Sequence, residues 1–266
     1  MKNKKGDKFI SIITVVVIFI IWYLVSNFGN FSEVIIPSPQ RVFNAFIEII
    51  KNGYKGHTLL QHFASSMIRL LIAYLLVIIT IIPIGLLSGY SNKVRAILEP
   101  IIEFSRPLPP LAYYTLLVLW FGIGDLSKII LLYLAGAAPV YISCVAGVKR
   151  IKEDYTNGAL TLGASKLQVF FYVILPAALP DIFTGLRTAI GVEYTTLVAA
   201  EMVAAVAGIG WLVLDASKYL RSDIIFFGII LMGLTGMLLN FIIKIIENKV
   251  VHWKGKTDSV KFHMKK

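Results

Sequence analysis

Residues Val148–Arg187, VKRIKEDYTNGALTLGASKLQVFFYVILPAALPDIFTGLR, decide how this chain is read. The stretch is polar and basic, and it lies between two strongly apolar runs. A loop of a membrane protein has no lipid to face, so apolar side chains on it need a protein partner. Here Ala159, Leu160, Leu162, Ala164 and Leu167 recur at helical spacing around Gly163. That pattern predicts a short amphipathic helix lying across a membrane face and offering a surface to another subunit. Pro176 and Pro180 are expected to break the chain before the next apolar run begins.

The flanking sequence sets the fold class. The chain is 57% hydrophobic and 15% charged over 266 residues, far too apolar for a soluble domain of this length. A bilayer core about 30 Å thick needs about 20 apolar residues per helix. Runs of this kind extend from Phe9 to Val25, Ser65 to Leu87, Leu108 to Phe121 (entering near Ile97), Ile129 to Val148, Thr184 to Ala207 and Ile224 to Ile246. The expectation is an all-α, polytopic membrane protein of about six transmembrane helices. It divides into a tail at 1–8, a membrane domain at 9–248 containing the polar segment 149–180, and a basic tail at 249–266. Lys2, Lys4, Lys5 and Lys8 precede the first run, which exceeds the roughly 7–15 apolar residues of a signal peptide and has no small-x-small site after it. It is read as a retained helix. Cys144 is the single cysteine and lies inside the fourth run, so no disulfide is expected.

A net charge of +11 could mark a nucleic-acid binder, but its distribution argues for topology instead. Basic residues gather in both tails, at Lys93 and Arg95, and at Lys149, Arg150, Lys152 and Lys166. With the N-terminus inside, all of these fall on one side. Arg41, Lys51, Lys55, Lys128, Lys218 and Arg221 are sparser and fall on the other. The bias places both termini and the 149–180 segment in the cytoplasm.

Pro37-Ser38-Pro39 reads as a rigid turn followed by an amphipathic helix from about Gln40 to Ile50. Arg106-Pro107-Leu108-Pro109-Pro110 cannot sit in an unbroken helix. Such a break marks either the bundle interior or a helix start at the membrane surface. Ionisable residues inside membrane runs tend to face cavities; Arg69, Glu103, Arg106, Arg187, Glu193 and Glu201 are the candidates. Arg69 and Arg187 lie near run ends and are expected to snorkel. Glu193 and Glu201 are spaced to share one helix face. Tyr113 and Tyr114 could stack on a flat solute, and Gly208-Ile209-Gly210-Trp211 is expected to be a short loop. The substrate-pathway candidates are therefore Arg106, Tyr113, Tyr114, Glu193 and Glu201. No Walker loop and no H-E-x-x-H pair is present, and His57, His62, His252 and His263 fall outside the predicted runs. No catalytic or metal site is expected.

Asn157-Gly158-Ala159, Gly163 and Val173-x-Leu175-Pro176 resemble the EAA…G…I-x-LP signature of binding-protein-dependent ABC importer permeases. RPLPPLAYYTLLVLWFGIGD, TLGASKLQVFFYVILPAALPDIFTGLRTAIG and LVAAEM are similar to the subgroup that imports sulfonates, taurine, nitrate and thiamine-precursor pyrimidines. The resemblance implies a plasma-membrane permease subunit that is not itself an enzyme. Its cytoplasmic coupling helix would dock on an ATPase through Asn157, Gly158, Ala159, Leu160, Gly163, Ala164, Ser165, Lys166, Leu175 and Pro176. It implies no cofactor in this chain, with ATP and magnesium held by the partner. The implied partners are a second copy of the chain, two ATPase subunits, an extracytoplasmic substrate-binding protein and membrane lipid, with no nucleic acid. Asn157 stands where the signature has glutamate, and Gly158 where it has alanine, so the glutamate's ion pair is not implied. Glu153 and Asp154 lie one turn upstream. A secondary active transporter and a non-transporting membrane scaffold are the competing readings, separated by whether uptake depends on ATP.

Overall fold

The computed structural model describes residues 4–29 and 31–253. Regular structure among them is entirely helical: α1 (Lys4–Phe28), α2 (Pro39–Asn52), α3 (Leu59–Tyr90), α4 (Asn92–Ser105), α5 (Pro110–Phe121), α6 (Asp125–Lys149), α7 (Glu153–Thr161), α8 (Lys166–Val169), a π-helical turn (Phe170–Ile174), α9 (Leu175–Ala204), α10 (Ile209–Lys218) and α11 (Ser222–Val250). Among the described residues, five helical stretches are long and apolar enough to cross a membrane, and α5 is a shorter apolar helix. The third predicted crossing is thus two pieces, α4 and α5, parted at the prolines. The expected N-terminal tail is largely taken up by α1, with residues 1–3 outside the described residues. Most of the expected C-terminal tail, from residue 254, also lies outside them.

The chain forms two compact units. The first comprises residues Met1–Ser65 and Val206–Gly233. The amphipathic helix expected from about Gln40 to Ile50 is α2, capped by Ser38 and opened by Pro39. Val42, Ala45 and Ile49 form one buried stripe on α2, packed with Leu212, Val213 and Ala216 of α10 and Ile224 and Phe227 of α11. Trp22 of α1 donates to the Pro37 carbonyl at 3.0 Å and stacks on Phe226. Gly208-Ile209-Gly210-Trp211 is not the expected loop. Gly208 alone turns, at φ 139°, and the other three residues begin α10. His62 also departs from expectation, since it lies inside α3 and is fully buried. Its Nδ1 accepts from the Gly208 N–H at 3.2 Å, so the proton sits on Nε2, which donates to the Tyr54 carbonyl at 3.2 Å. With both nitrogens committed and its ring stacked on Trp211, His62 pins the α10 turn.

The second unit comprises Ser66–Ala205 and Leu234–Lys266, and α6 and α9 are its central pair. Small residues let these two backbones approach. A Cβ on Gly185 would stand 2.6 Å from the Ser143 Cβ, and one on Gly147 would stand 2.9 Å from the Asp181 Cβ. On α3, Tyr74 donates its phenol to the Leu186 carbonyl at 3.2 Å. The expected break at Pro176 and Pro180 does not occur, because helix continues from Lys166 to Ala204. Pro176 falls in the first turn of α9, directly after the π-helical turn, and Pro180 is carried inside the helix. A π-turn already shifts the backbone bonding register, so a missing N–H beside it orphans fewer carbonyls.

Candidate functional site

Two groups of residues stand out, both in the second unit. The first is the polar segment. The amphipathic helix expected through Gly163 is two helices, because Gly163 adopts φ +88° and stops α7, while Ser165 starts α8. Ser165 and Gln168 form a reciprocal cap: the Gln168 N–H donates to Ser165 Oγ at 3.3 Å, and the Ser165 N–H donates to Gln168 Oε1 at 2.7 Å. Ala159 and Ala164 pack inward on the core, and Leu175 and Pro176 are half-buried at the head of α9. Asn157, Gly158, Leu160, Ser165 and Lys166 remain exposed. Leu162 is 90% exposed, and Tyr172 and Leu167 are nearly as open. Leu162 and Tyr172 rim a shallow hollow over Gly163, Ala164 and Gln168. A Cβ on Gly163 would meet nothing within 4 Å, so the chain leaves this turn uncovered. Glu153 lies one turn before Asn157 and shares its face of α7.

The second group surrounds a cavity of about 350 Å³ between the α4–α5 break, α6 and α9. Arg106 and Tyr113, two of the five pathway candidates, line it together with Ser105, Pro139, Ser143 and Thr188. The break therefore borders this cavity, although residues 105–109 are themselves exposed. Ser143 and Thr188 escaped the sequence reading because a lone hydroxyl on an apolar helix commonly bonds its own backbone, as Thr188 does to the Thr184 carbonyl.

The other three candidates are not among the lining residues. Tyr114 is buried with Leu117, Leu131 and Ala200. Glu201 is fully buried, where it accepts from Arg69 Nη1 at 2.7 Å and from Ser66 Oγ at 2.8 Å. Arg69 also donates from Nε to Asp125 at 2.7 Å. Arg69 thus does not snorkel; it is 6% exposed, held inside because a buried carboxylate without a cation would be far costlier. Arg187 pairs with Glu247 at 3.1 Å instead of reaching away from the bundle. Glu193 is fully buried, and neither carboxylate oxygen has a hydrogen-bond partner. Its side chain fills the notch left by Gly136 of α6, where any Cβ would overlap the carboxylate. No cluster of metal-ligating side chains occurs among the described residues.

A helical membrane bundle with a broken crossing and an uncovered Gly163 turn has counterparts among known proteins. Residues 81–252, which contain all of these features, match the family described as binding-protein-dependent transport system inner membrane component. The chain belongs to that family. It is 42% identical over 248 residues to the taurine transport system permease protein TauC of Escherichia coli (strain K12), covering 93% of this chain and 90% of the relative. It is 32% identical over 239 residues to the putative aliphatic sulfonates transport permease protein SsuC of Bacillus subtilis (strain 168), covering 90% and 85%. Identity to the nitrate import permease protein NrtB of Leptolyngbya laminosa is 33% over 245 residues, covering 91% and 88%. The chain is an ABC importer permease, a multi-pass membrane subunit for transport.

Proposed function

We propose that this permease moves a small oxyanion inward, driven by ATP hydrolysed on two separate ATPase subunits that grip the α7–α8 segment of two copies of the chain. The observation carrying this reading is the uncovered shelf at Leu162–Gly163, with large apolar side chains held open on a well-capped backbone. Lipid does not cover such a shelf if it lies in the cytoplasm, where the lysine and arginine bias puts it together with both termini. A protein partner does. Asn157, Gly158, Ala159, Leu160, Gly163, Ala164, Ser165 and Lys166 form the docking surface, and Leu175 and Pro176 pass its movement into α9. ATP binding at the partner drives transport only by favouring one of two permease states over the other. An extracytoplasmic binding protein delivers the solute, and ATP and magnesium stay on the ATPase. The relatives are named for taurine, aliphatic sulfonates and nitrate, all carrying a compact oxyanion group.

A cysteine at Leu162 tests the docking. Cys144 is buried and contributes little background. In the assembled transporter, Leu162→Cys is expected to cross-link to the ATPase in high yield, and uptake is expected to need ATP and to resist ionophores. Absence of an ATPase adduct, with uptake that collapses on adding an ionophore, would return the chain to the secondary-transporter reading.

A further inference from the structure

We propose that the cavity at the α4–α5 break is an oxyanion-binding station on the transport path, with Arg106, Tyr113 and Ser143 as its donors. The proposal rests on the reading of the chain as an anion importer and adds the place and the groups that hold the solute.

Depth comes first. The cavity is lined by Ala138 and Pro139, near the middle of α6, and by Thr188, near the middle of α9. Ala138 is about 20 Å along α6 from its first residue, so the site lies level with the centre of the bilayer and not with the headgroups. An arginine at that level is costly unless it faces a cavity or a counter-charge. Arg41, Arg69, Arg95, Arg150, Arg187 and Arg221 each have a carboxylate partner. Arg106 is the one arginine without an ion pair among the described residues, and no acidic side chain lines its cavity.

The hydroxyls point the same way. Ser105 and Thr188 spend their protons on the Ile102 and Thr184 carbonyls. The Tyr113 phenol and the Ser143 hydroxyl make no such bond among the described residues, which leaves two O–H donors beside one guanidinium. Excess donors and a single uncompensated positive charge suit a sulfonate or nitrate group, since a planar guanidinium fits such oxyanions through two parallel N–H bonds. The volume of about 350 Å³ is at the small end of ligand pockets and suits a solute of a few heavy atoms. The helix break itself serves the site, because non-helical backbone at membrane depth persists only inside protein or beside a cavity.

The test uses the complete transporter in liposomes, with labelled taurine, ethanesulfonate and nitrate as probes. Arg106→Gln is expected to lower uptake by about tenfold or more in the assembled transporter, the loss of a charged hydrogen-bond donor. Arg106→Lys is expected to recover a substantial part. An assembled Arg106→Gln transporter importing at the wild-type rate overturns the station. Should Arg106→Gln fail to assemble, Tyr113→Phe decides: it removes one O–H donor without adding volume, uptake is expected to fall several-fold, and uptake at the wild-type rate overturns the proposal. If the wild-type transporter imports none of the three probes, the anion reading itself fails before any variant is compared.

Discussion

Glu193 and Gly136 show how much one residue can constrain. A carboxyl group with no hydrogen-bond partner, fully buried between α6 and α9, is tolerated only because the facing position has no side chain. Gly136→Ala should therefore destabilise the folded permease by about 1–3 kcal/mol, the usual range for overpacking. Shortening the opposing side chain with Glu193→Ala should recover part of that loss. Unfolding of the single and double variants in detergent measures the coupling, and strict additivity would show that the two residues do not meet. Glu201 sits two turns further along the same helix and meets the opposite circumstance, a cation within 2.7 Å. Arg69→Ala leaves that carboxylate buried and uncompensated and should cost about 3–5 kcal/mol. Arg69→Ala with Glu201→Ala should cost less than the sum of the two single changes.

Among the elements, the α7–α8 turn and the α4–α5 break each depend on a few backbone-directing residues. Gly163 adopts a conformation that side-chain-bearing residues rarely take, yet space around it is open. Gly163→Ala should accordingly fold with a modest penalty of about 1 kcal/mol. Gly163→Asp adds a charge to the proposed docking face, and it is expected to abolish uptake and solute-stimulated ATP hydrolysis while the protein still reaches the membrane. Uptake in vesicles, set against membrane yield by immunoblot, checks this; full uptake by Gly163→Asp would remove the docking role. The proline break works in the other direction. Pro107 and Pro109 end one helix and let Pro110 start the next, and so turn Arg106 and Tyr113 onto a shared cavity.

At the scale of the molecule, the five long helical stretches and one broken crossing among the described residues are few to enclose a solute path, and closed two-fold pairing is the common way to complete one. Native mass spectrometry of the purified transporter is expected to show two permease chains with two ATPase chains. A single permease chain in the active complex would contradict the pairing. Labelling of a cysteine placed at Lys256 from outside intact cells should fail if both tails are cytoplasmic, and labelling there would invert the topology.

Sequence alone determined the fold class, the existence of the α4–α5 break and the approximate places of the crossings, although α3 starts six residues before the predicted Ser65 and α9 nine before the predicted Thr184. Apolar run length and proline chemistry act locally, and each can be read without knowing its neighbours. It also supplied the Asn157–Pro176 signature and the candidate acids and aromatics. Only the tertiary structure decided that Glu201 belongs to Arg69, that Glu193 rests on Gly136, and that Arg106 shares a cavity with Ser143 and Thr188. Those pairings join residues tens of positions apart, and helical periodicity fixes which face a residue occupies but not what stands opposite. The same limit explains the prolines at 176 and 180. Whether a proline breaks a helix depends on where its missing donor would have bonded; at Pro176 a neighbouring π-turn had already shifted that register, whereas Pro180 is carried inside α9.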